Sequence, residues 1–353
     1  MNEFMQILRH HAEIYPLMQP CDAVKLIFQS VFAGGHMIAS EKAAWERLRA
    51  EYDRTAHTGQ RKIESLGEIS RVYLTSPMTD AELSILHRMF CATAADMVAD
   101  SDARRRFDER IELLTQLCHE GVFGFKSQEL ADYLAAYRAA GCPAVSHSDA
   151  YRTAYLPAYR VIDSKFVRLM DAVAAIDHLL SQNERVVVAI DGRCASGKST
   201  AARLIAQIFA AEIVHMDDFF LPPELRCEKR LAEVGGNLHR ERFIDEVVPH
   251  LRDADGFAYR VFECSTFAYA DEPRRIGPSR LILCEGSYAL HPAFGKYYDL
   301  ALFSDAAPDE QLRRIKERDG DFMLTRFKNE WIPMEERYFD TFDIRSRCDF
   351  ILN

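Results

Sequence analysis

A chain of 353 residues exceeds one ordinary domain, so two domains are expected, and a hydrophobic share of 48% suffices to pack them. The net charge of −10 excludes a broad nucleic-acid-binding face and leaves room only for a local basic pocket. The first residues show no basic segment followed by an apolar core, and no apolar run approaches the ~20 residues of a membrane span, so a cytoplasmic protein with no membrane partner is expected.

Residues 1–150 read as a mainly helical domain. Val24, Ile27, Phe28 and Val31 recur at the spacing of one helix face, with Pro20 and Asp22 marking the start and Asp22 as the cap. Gly34-Gly35-His36 breaks that helix, and Phe32–Met37 is either a ligand-contacting loop or a plain turn. A second helix is expected from Ser40 to Asp53. Ile69–Leu74 fits either a strand or an extended linker. Thr79-Asp-Ala-Glu82 is a capping box ahead of Leu83, Leu86 and Phe90. Phe107, Ile111, Leu114 and Cys118 form another helical stripe. Ser127 caps a helix carrying Leu130, Tyr133, Leu134 and Tyr137, which Gly141 and Pro143 end. Residues 151–183 read as a linker and a connecting helix with Phe166, Leu169, Val173 and Ile176 on its stripe. Tyr155, Tyr159 and Arg160 in this stretch either cover a nucleotide or pack between domains.

From residue 184 to 353, strands and helices alternate, the pattern of a parallel α/β sheet flanked by helices. Arg185–Ile190 is a short apolar run that reads as a buried strand. After it, Gly192-Arg193-Cys194-Ala195-Ser196-Gly197-Lys198-Ser199 fits the phosphate-loop pattern G-x-x-x-x-G-K-[ST], and Thr200 opens a helix. Gly192 and Gly197 allow the tight turn, and backbone amides with the helix N-terminus favour anionic phosphate. Lys198 would reach the β- and γ-phosphates of ATP, and Ser199 would hold Mg²⁺.

Three further strands are expected at Glu212–Met216, Leu281–Cys284 and Leu300–Phe303, and a last one at Asp349–Leu352. Ligands of open α/β sheets sit beyond the carboxyl ends of the strands. Asp217-Asp218 and Glu285 stand at two such ends. Either aspartate suits the group that activates an acceptor hydroxyl, and Glu285 suits the magnesium shell. The helix after Pro308 carries Arg313, Arg314 and Arg318, as a lid over the transferring phosphoryl group or as an ordinary charged face. Arg326 and Lys328 add a second lid candidate. The nine cysteines show no C-x-x-C or zinc spacing and read as free thiols.

Residues 184–353 resemble the uridine kinase, phosphoribulokinase and pantothenate kinase group of P-loop kinases. The matching pieces are Gly192–Ser199, His215-Met-Asp-Asp-Phe-Phe220, Gly235-Gly-Asn-Leu-His-Arg-Glu-Arg-Phe243, Leu283-Cys-Glu-Gly286, Tyr298-Asp-Leu with Phe303, and Arg314-Ile-Lys-Glu-Arg-Asp319. The resemblance implies Asp217 as the base, Glu285 as the E-G acid and Arg314 and Arg318 as lid arginines. Asp218, His239 and Arg242 are candidates for holding the acceptor. One residue more separates Arg314 from Arg318 than in the group's R-R-I-x-R-D pattern, and its histidine-bearing pyrimidine-recognition segment has no clear counterpart. Residues 1–150 resemble leading helical domains of bacterial uridine-kinase-like proteins.

The resulting expectation is an ATP- and Mg²⁺-dependent kinase whose acceptor is a hydroxyl of a small, nucleoside-like molecule. Residues Gly192 to Thr200 bind the nucleotide, Ser199 and Glu285 the metal. Two rivals stand beside it. One is a regulatory NTP-binding module read out by the helical domain. The other is an NTPase acting on a protein or RNA partner, with the acidic charge against RNA. No residue pattern speaks to the oligomeric state.

Overall fold

The computed structural model describes residues 3–98 and 102–353, in two compact units, Met1–Val167 and Arg168–Asn353. In unit 1, α1 (Glu3–Ile14), α2 (Pro20–Phe32) and α3 (Glu41–Arg54) precede two short strands, β1 (Ile63–Ser65) and β2 (Ile69–Tyr73). Then come α4 (Asp80–Val98), α5 (Ala103–His119), α6 (Ser127–Ala139), α7 (Asp149–Tyr155) and a third strand, β3 (Tyr159–Asp163). Pro20 opens α2, and Asp22 sits inside its first turn rather than at the cap, its carboxylate accepting the Gln19 amide at 2.9 Å. The capping box at Thr79 forms in both directions, with Thr79 N–H on Glu82 and Glu82 N–H on Thr79 Oγ1. Phe32–Met37 is a turn, in which a Cβ on Gly34 would lie 2.4 Å from the Phe90 ring.

Unit 1 is not all helix, and its end differs from the expected linker. Ile69–Tyr73 is the central strand of an antiparallel sheet in the order β1-β2-β3. Residues 159–163, assigned from sequence to the linker, are its third strand, so the division moves to Val167/Arg168. The reason is pairing: Tyr-Arg-Val-Ile-Asp can close its backbone hydrogen bonds only beside another strand, and β2 supplies one. Accordingly Tyr155, Tyr159 and Arg160 turn into unit 1 itself. Tyr155 Oη accepts the Leu17 amide at 2.9 Å, and Arg160, 3% exposed, pairs with Glu51 at 2.6 Å.

Unit 2 opens with α8 (Met170–Gln182), β4 (Val186–Gly192) and α9 (Lys198–Phe209), followed by β5 (Glu212–His215), α10 (Glu228–Leu231) and α11 (Arg240–Glu246). Four short strands follow: β6 (Phe257–Tyr259), β7 (Phe262–Glu263), β8 (Ala268–Tyr269) and β9 (Arg274–Ile276). The chain ends with β10 (Leu281–Glu285), β11 (Leu300–Ser304), α12 (Pro308–Arg326), α13 (Ile332–Phe342) and β12 (Phe350–Leu352). Five strands form one parallel sheet in the order β12-β11-β4-β10-β5. The phosphate-loop strand is central and buried throughout, as parallel strands covered on both faces must be. In register, Glu285 pairs with Ile190 and His215, and Ser304 with Gly192. The carboxyl ends of β4, β5, β10 and β11 therefore lie side by side.

Candidate active site

The phosphate loop is built on backbone that only glycine accepts at its first position. Gly192 has φ 134°, and a Cβ there would stand 2.0 Å from Ser304 O on β11. Gly192→Ala is expected to lower the melting temperature steeply or give insoluble protein, because the contact is backbone on backbone and neither strand can yield. An unchanged melting curve would contradict this geometry.

Four side chains fix the loop from outside. Arg314 Nη1 donates to Ala195 O and Ser196 O at 3.2 and 3.4 Å, and Arg168 reaches Ser196 O and Gly197 O, each at 3.4 Å. Gln311 Nε2 donates to Cys194 O at 3.0 Å, and the Cys194 amide donates to Glu335 Oε2 at 2.9 Å. With carbonyls tied outward, the amides at the start of α9, which have no intrahelical acceptors, are left to face an anion. Lys198 is buried at 8% exposure, and its Nζ donates to Gly192 O and Arg193 O, both at 2.8 Å. Arg193 pairs with Asp305 at 2.9 Å and with Glu336. Burial, with Glu335 next to it, pushes the Cys194 thiol up to about 12, so it stays protonated. Beside the loop lies a cavity of about 280 Å³ lined by Arg193, Asp305, Pro308 and Asn353.

Below the loop stands Asp191, fully buried. It accepts from the amides of Gly192, Tyr288 and Leu290 and from Tyr338 Oη at 2.7 to 3.2 Å. Burial pushes its carboxyl up to about 6 despite those donors. It ties the loop to the segment after β10 and to α13.

The carboxylates meet as the strand ends require. Glu285, 4% exposed, accepts from Ser199 Oγ at 3.1 Å and contacts His215 Nδ1 at 2.5 Å. Asp217 lies on the 3₁₀ turn after β5, reachable by solvent yet hemmed in by protein. Lost hydration, then the Glu285 charge, raises its pKa, and Lys198 opposes that. This donor set suits magnesium: a hydroxyl and carboxylate oxygens with surplus negative charge. Among the described residues no group of three or more His, Cys, Asp and Glu could cage a metal. Mg²⁺ ordinarily takes one or two carboxylates and fills its shell with phosphate oxygens and water.

The two neighbouring aspartates live in different surroundings. Asp218, 7% exposed, accepts from Tyr259 Oη at 2.8 Å and pairs with Arg274 at 3.0 Å. Arg242, an expected acceptor-holding residue, has its donors engaged within the protein. It is 4% exposed, forks onto Glu246 at 3.0 Å, donates to Asp218 O and Arg260 O, and lies over the Phe219 ring at 5.0 Å, so its donors are spent on structure. His239 occupies the N-cap position of α11 without a side-chain cap bond, its Nδ1 3.3 Å from Glu241. Arg318 forks onto Asp319 at 2.8 to 3.1 Å instead of reaching the loop. Gly320, at φ 79°, kinks α12 directly after that pair, and Arg326 pairs with Glu330. Glu335, Gln311, Arg168, His215, Arg274 and Asp191 were not found from sequence. The first five act over long chain separations, and Asp191 is a single acid at the end of an apolar run, with no pattern of its own.

All nine cysteines are free, and among the described residues no helix is long and apolar enough to cross a membrane. The strand order, the phosphate loop on the central strand and the acidic strand ends give unit 2 a P-loop kinase fold. A possible uridine kinase from Bacillus stearothermophilus is similar in structure, at 18% identity over 52% of this chain and 99% of its own, with a TM-score of 0.41. A candidate fructose transport system kinase from Silicibacter sp. TM1040 is similar at 19% identity over 51% of this chain and 98% of its own, with a TM-score of 0.42. No family model and no curated protein sequence matches the chain.

Proposed function

We propose that unit 2 transfers the γ-phosphoryl group of ATP to a hydroxyl of a small, nucleoside-like acceptor. The observation that carries this reading is the meeting of Lys198, Ser199, Glu285 and Asp217 at adjacent strand ends. A phosphoryl-transfer enzyme has little covalent work to do. It positions the groups and stabilises charge. The loop amides and Lys198 hold the phosphates, and the cavity beside Arg193 gives room for the nucleotide's base. Ser199 and Glu285 would hold Mg²⁺, which when bound neutralises charge on the phosphate oxygens.

Asp217 orients and deprotonates the acceptor hydroxyl. Its raised pKa brings it closer to neutrality, where a base both stays ionised and takes a proton more readily. Asp218, Tyr259 and Arg274 form the polar wall behind it, and His239 stands at the start of α11. Arg314 and Arg318 sit on the helix that covers the loop. Arg314 is bonded to loop carbonyls, so its role at the transferring group needs the side chain to swing free.

Purified protein with ATP and Mg²⁺ is expected to release ADP in the presence of some members of a panel of nucleosides, sugars and pantothenate-like alcohols, and little without them. ADP release independent of every acceptor would favour an NTPase, and tight nucleotide binding without release a regulatory module.

A further inference from the structure

Unit 1 contains a polar sheet face that none of the chemistry above uses. Successive residues of β2 point to opposite faces. Arg71 and Tyr73 share one of them, with Glu64 opposite Arg71 on β1 and Tyr159 opposite Tyr73 on β3. A sheet face covered by helices is ordinarily apolar. This one carries an arginine of 1% exposure.

The bonding around Arg71 is incomplete. Its Nε and Nη2 donate to Gln29 Oε1 at 3.1 and 2.8 Å, and its guanidinium lies over the Tyr159 ring at 4.7 Å. Its Nη1 is 3.6 Å from Glu64 Oε2, beyond hydrogen-bond reach, and has no other partner. Glu64 is already taken by Tyr15, by Tyr73 at 2.7 Å and by Lys62 at 2.9 Å. Two more buried atoms nearby lack a partner, Tyr151 Oη and His11 Nδ1. The Tyr15 ring links them, its centroid 5.2 Å from that of Tyr151 and 5.7 Å from that of His11. Native interiors rarely leave such atoms unsatisfied, and three around one guanidinium call for an occupant.

Charge states what kind. Burial, then Arg71, pushes His11 down to about 3, and burial pushes His147 down to about 4, so both are neutral. Burial lowers Lys25 only to about 8, which leaves it cationic at neutral pH. The cations Arg71 and part-buried Lys25 balance the carboxylates Asp22 and Glu64, half-exposed Lys62 adds a third positive charge at the edge, and the orphaned Arg71 Nη1 and Tyr151 hydroxyl are donors that an anion's oxygens would satisfy. Lys62, half-exposed over the Tyr73 ring at 4.2 Å, marks the edge by which an anion would enter.

We propose that this face of unit 1 is a second binding site, for a small oxyanion (carboxylate or phosphate) whose oxygens accept from Arg71 Nη1 and the Tyr151 hydroxyl. Planar guanidinium suits both groups equally, so the test separates them.

The test uses full-length protein carrying Lys198→Ala, which weakens phosphate binding at the loop. It is melted at neutral pH in sodium chloride, sodium phosphate and sodium malonate of equal ionic strength. Because such anions raise melting temperatures generally, the expected sign of the site is a saturable rise at low anion concentration that Tyr151→Phe removes, and the anion that gives it names the class. Arg71 variants are liable to misfold, so the decisive change is Tyr151→Phe in the same background. Its hydroxyl has no partner to lose, so the melting temperature in chloride should hold, while anion affinity falls about tenfold or more, the loss of one hydrogen bond to a charged group. Equal melting in all three salts, as for a site filled by water alone, overturns the proposal. So does a saturable anion effect that survives Tyr151→Phe.

Discussion

Lys198→Ala is expected to leave a folded protein with acceptor phosphorylation reduced by at least 10²–10³-fold, the scale of losing one preorganised donor to a charged transition state. The fold survives because the side chain, though buried, is no part of the apolar core. Beneath α9 the core is made by Ala201, Ala202, Leu204, Ile205 and Ile208. What the variant frees are two loop carbonyls, Gly192 O and Arg193 O, which lie at the ligand-facing end where water can take the ammonium's place. What it removes is a buried positive charge bonded to the loop, beside the carboxylates Asp217 and Glu285. A circular-dichroism melt separates folding from function, and ADP release with acceptor reads the function. Near-normal turnover in this variant would remove the kinase assignment.

The phosphate loop was legible because its meaning is local. Eight consecutive residues set the turn, the amides and the ammonium, and an apolar run before them with an amphipathic helix after them fixed the context. The strand-end acids were legible for a related reason: in a parallel sheet an acidic pair right after a short apolar run lands at the ligand edge. What holds the loop in place was not legible. Glu335 accepts the Cys194 amide across 141 positions, and Gln311 reaches the same residue across 117. Neither residue carries a pattern of its own, and only the folded topology brings α12 and α13 to the loop. Arg242 was read from its motif alone. Its place in a matched segment suggested an acceptor contact, whereas Glu246 one helical turn later, with Phe219 below, absorbs it. In unit 1 the short strands were hard to read because β1 has only three residues and β2 buries an arginine, so neither shows apolar alternation.

Asp217→Asn is expected to cut single-turnover phosphorylation by about 10²–10⁴-fold, the range for a positioned base, with nucleotide affinity nearly unchanged. Asp218→Asn is expected to spare the chemical step and act on the acceptor's affinity and on stability. The asymmetry comes from the surroundings of the two acids, since the strand stops at His215 and both lie on a 3₁₀ turn. Asp217 is solvent-reachable beside Glu285 and within the field of Lys198, where a reacting hydroxyl can be placed. Asp218 is buried and already committed to Tyr259 and Arg274. Amidation of Asp218 keeps a hydrogen-bond acceptor for Tyr259 but strips Arg274 of its counter-charge. The wall behind the acceptor should loosen, raising the acceptor's KM and lowering the melting temperature. Both variants are to be measured once an acceptor has been found, by rapid-mixing single turnover and by nucleotide titration. If Asp218→Asn is the dead variant and Asp217→Asn turns over normally, the base has been misassigned, while the phosphate loop and its kinase reading can stand.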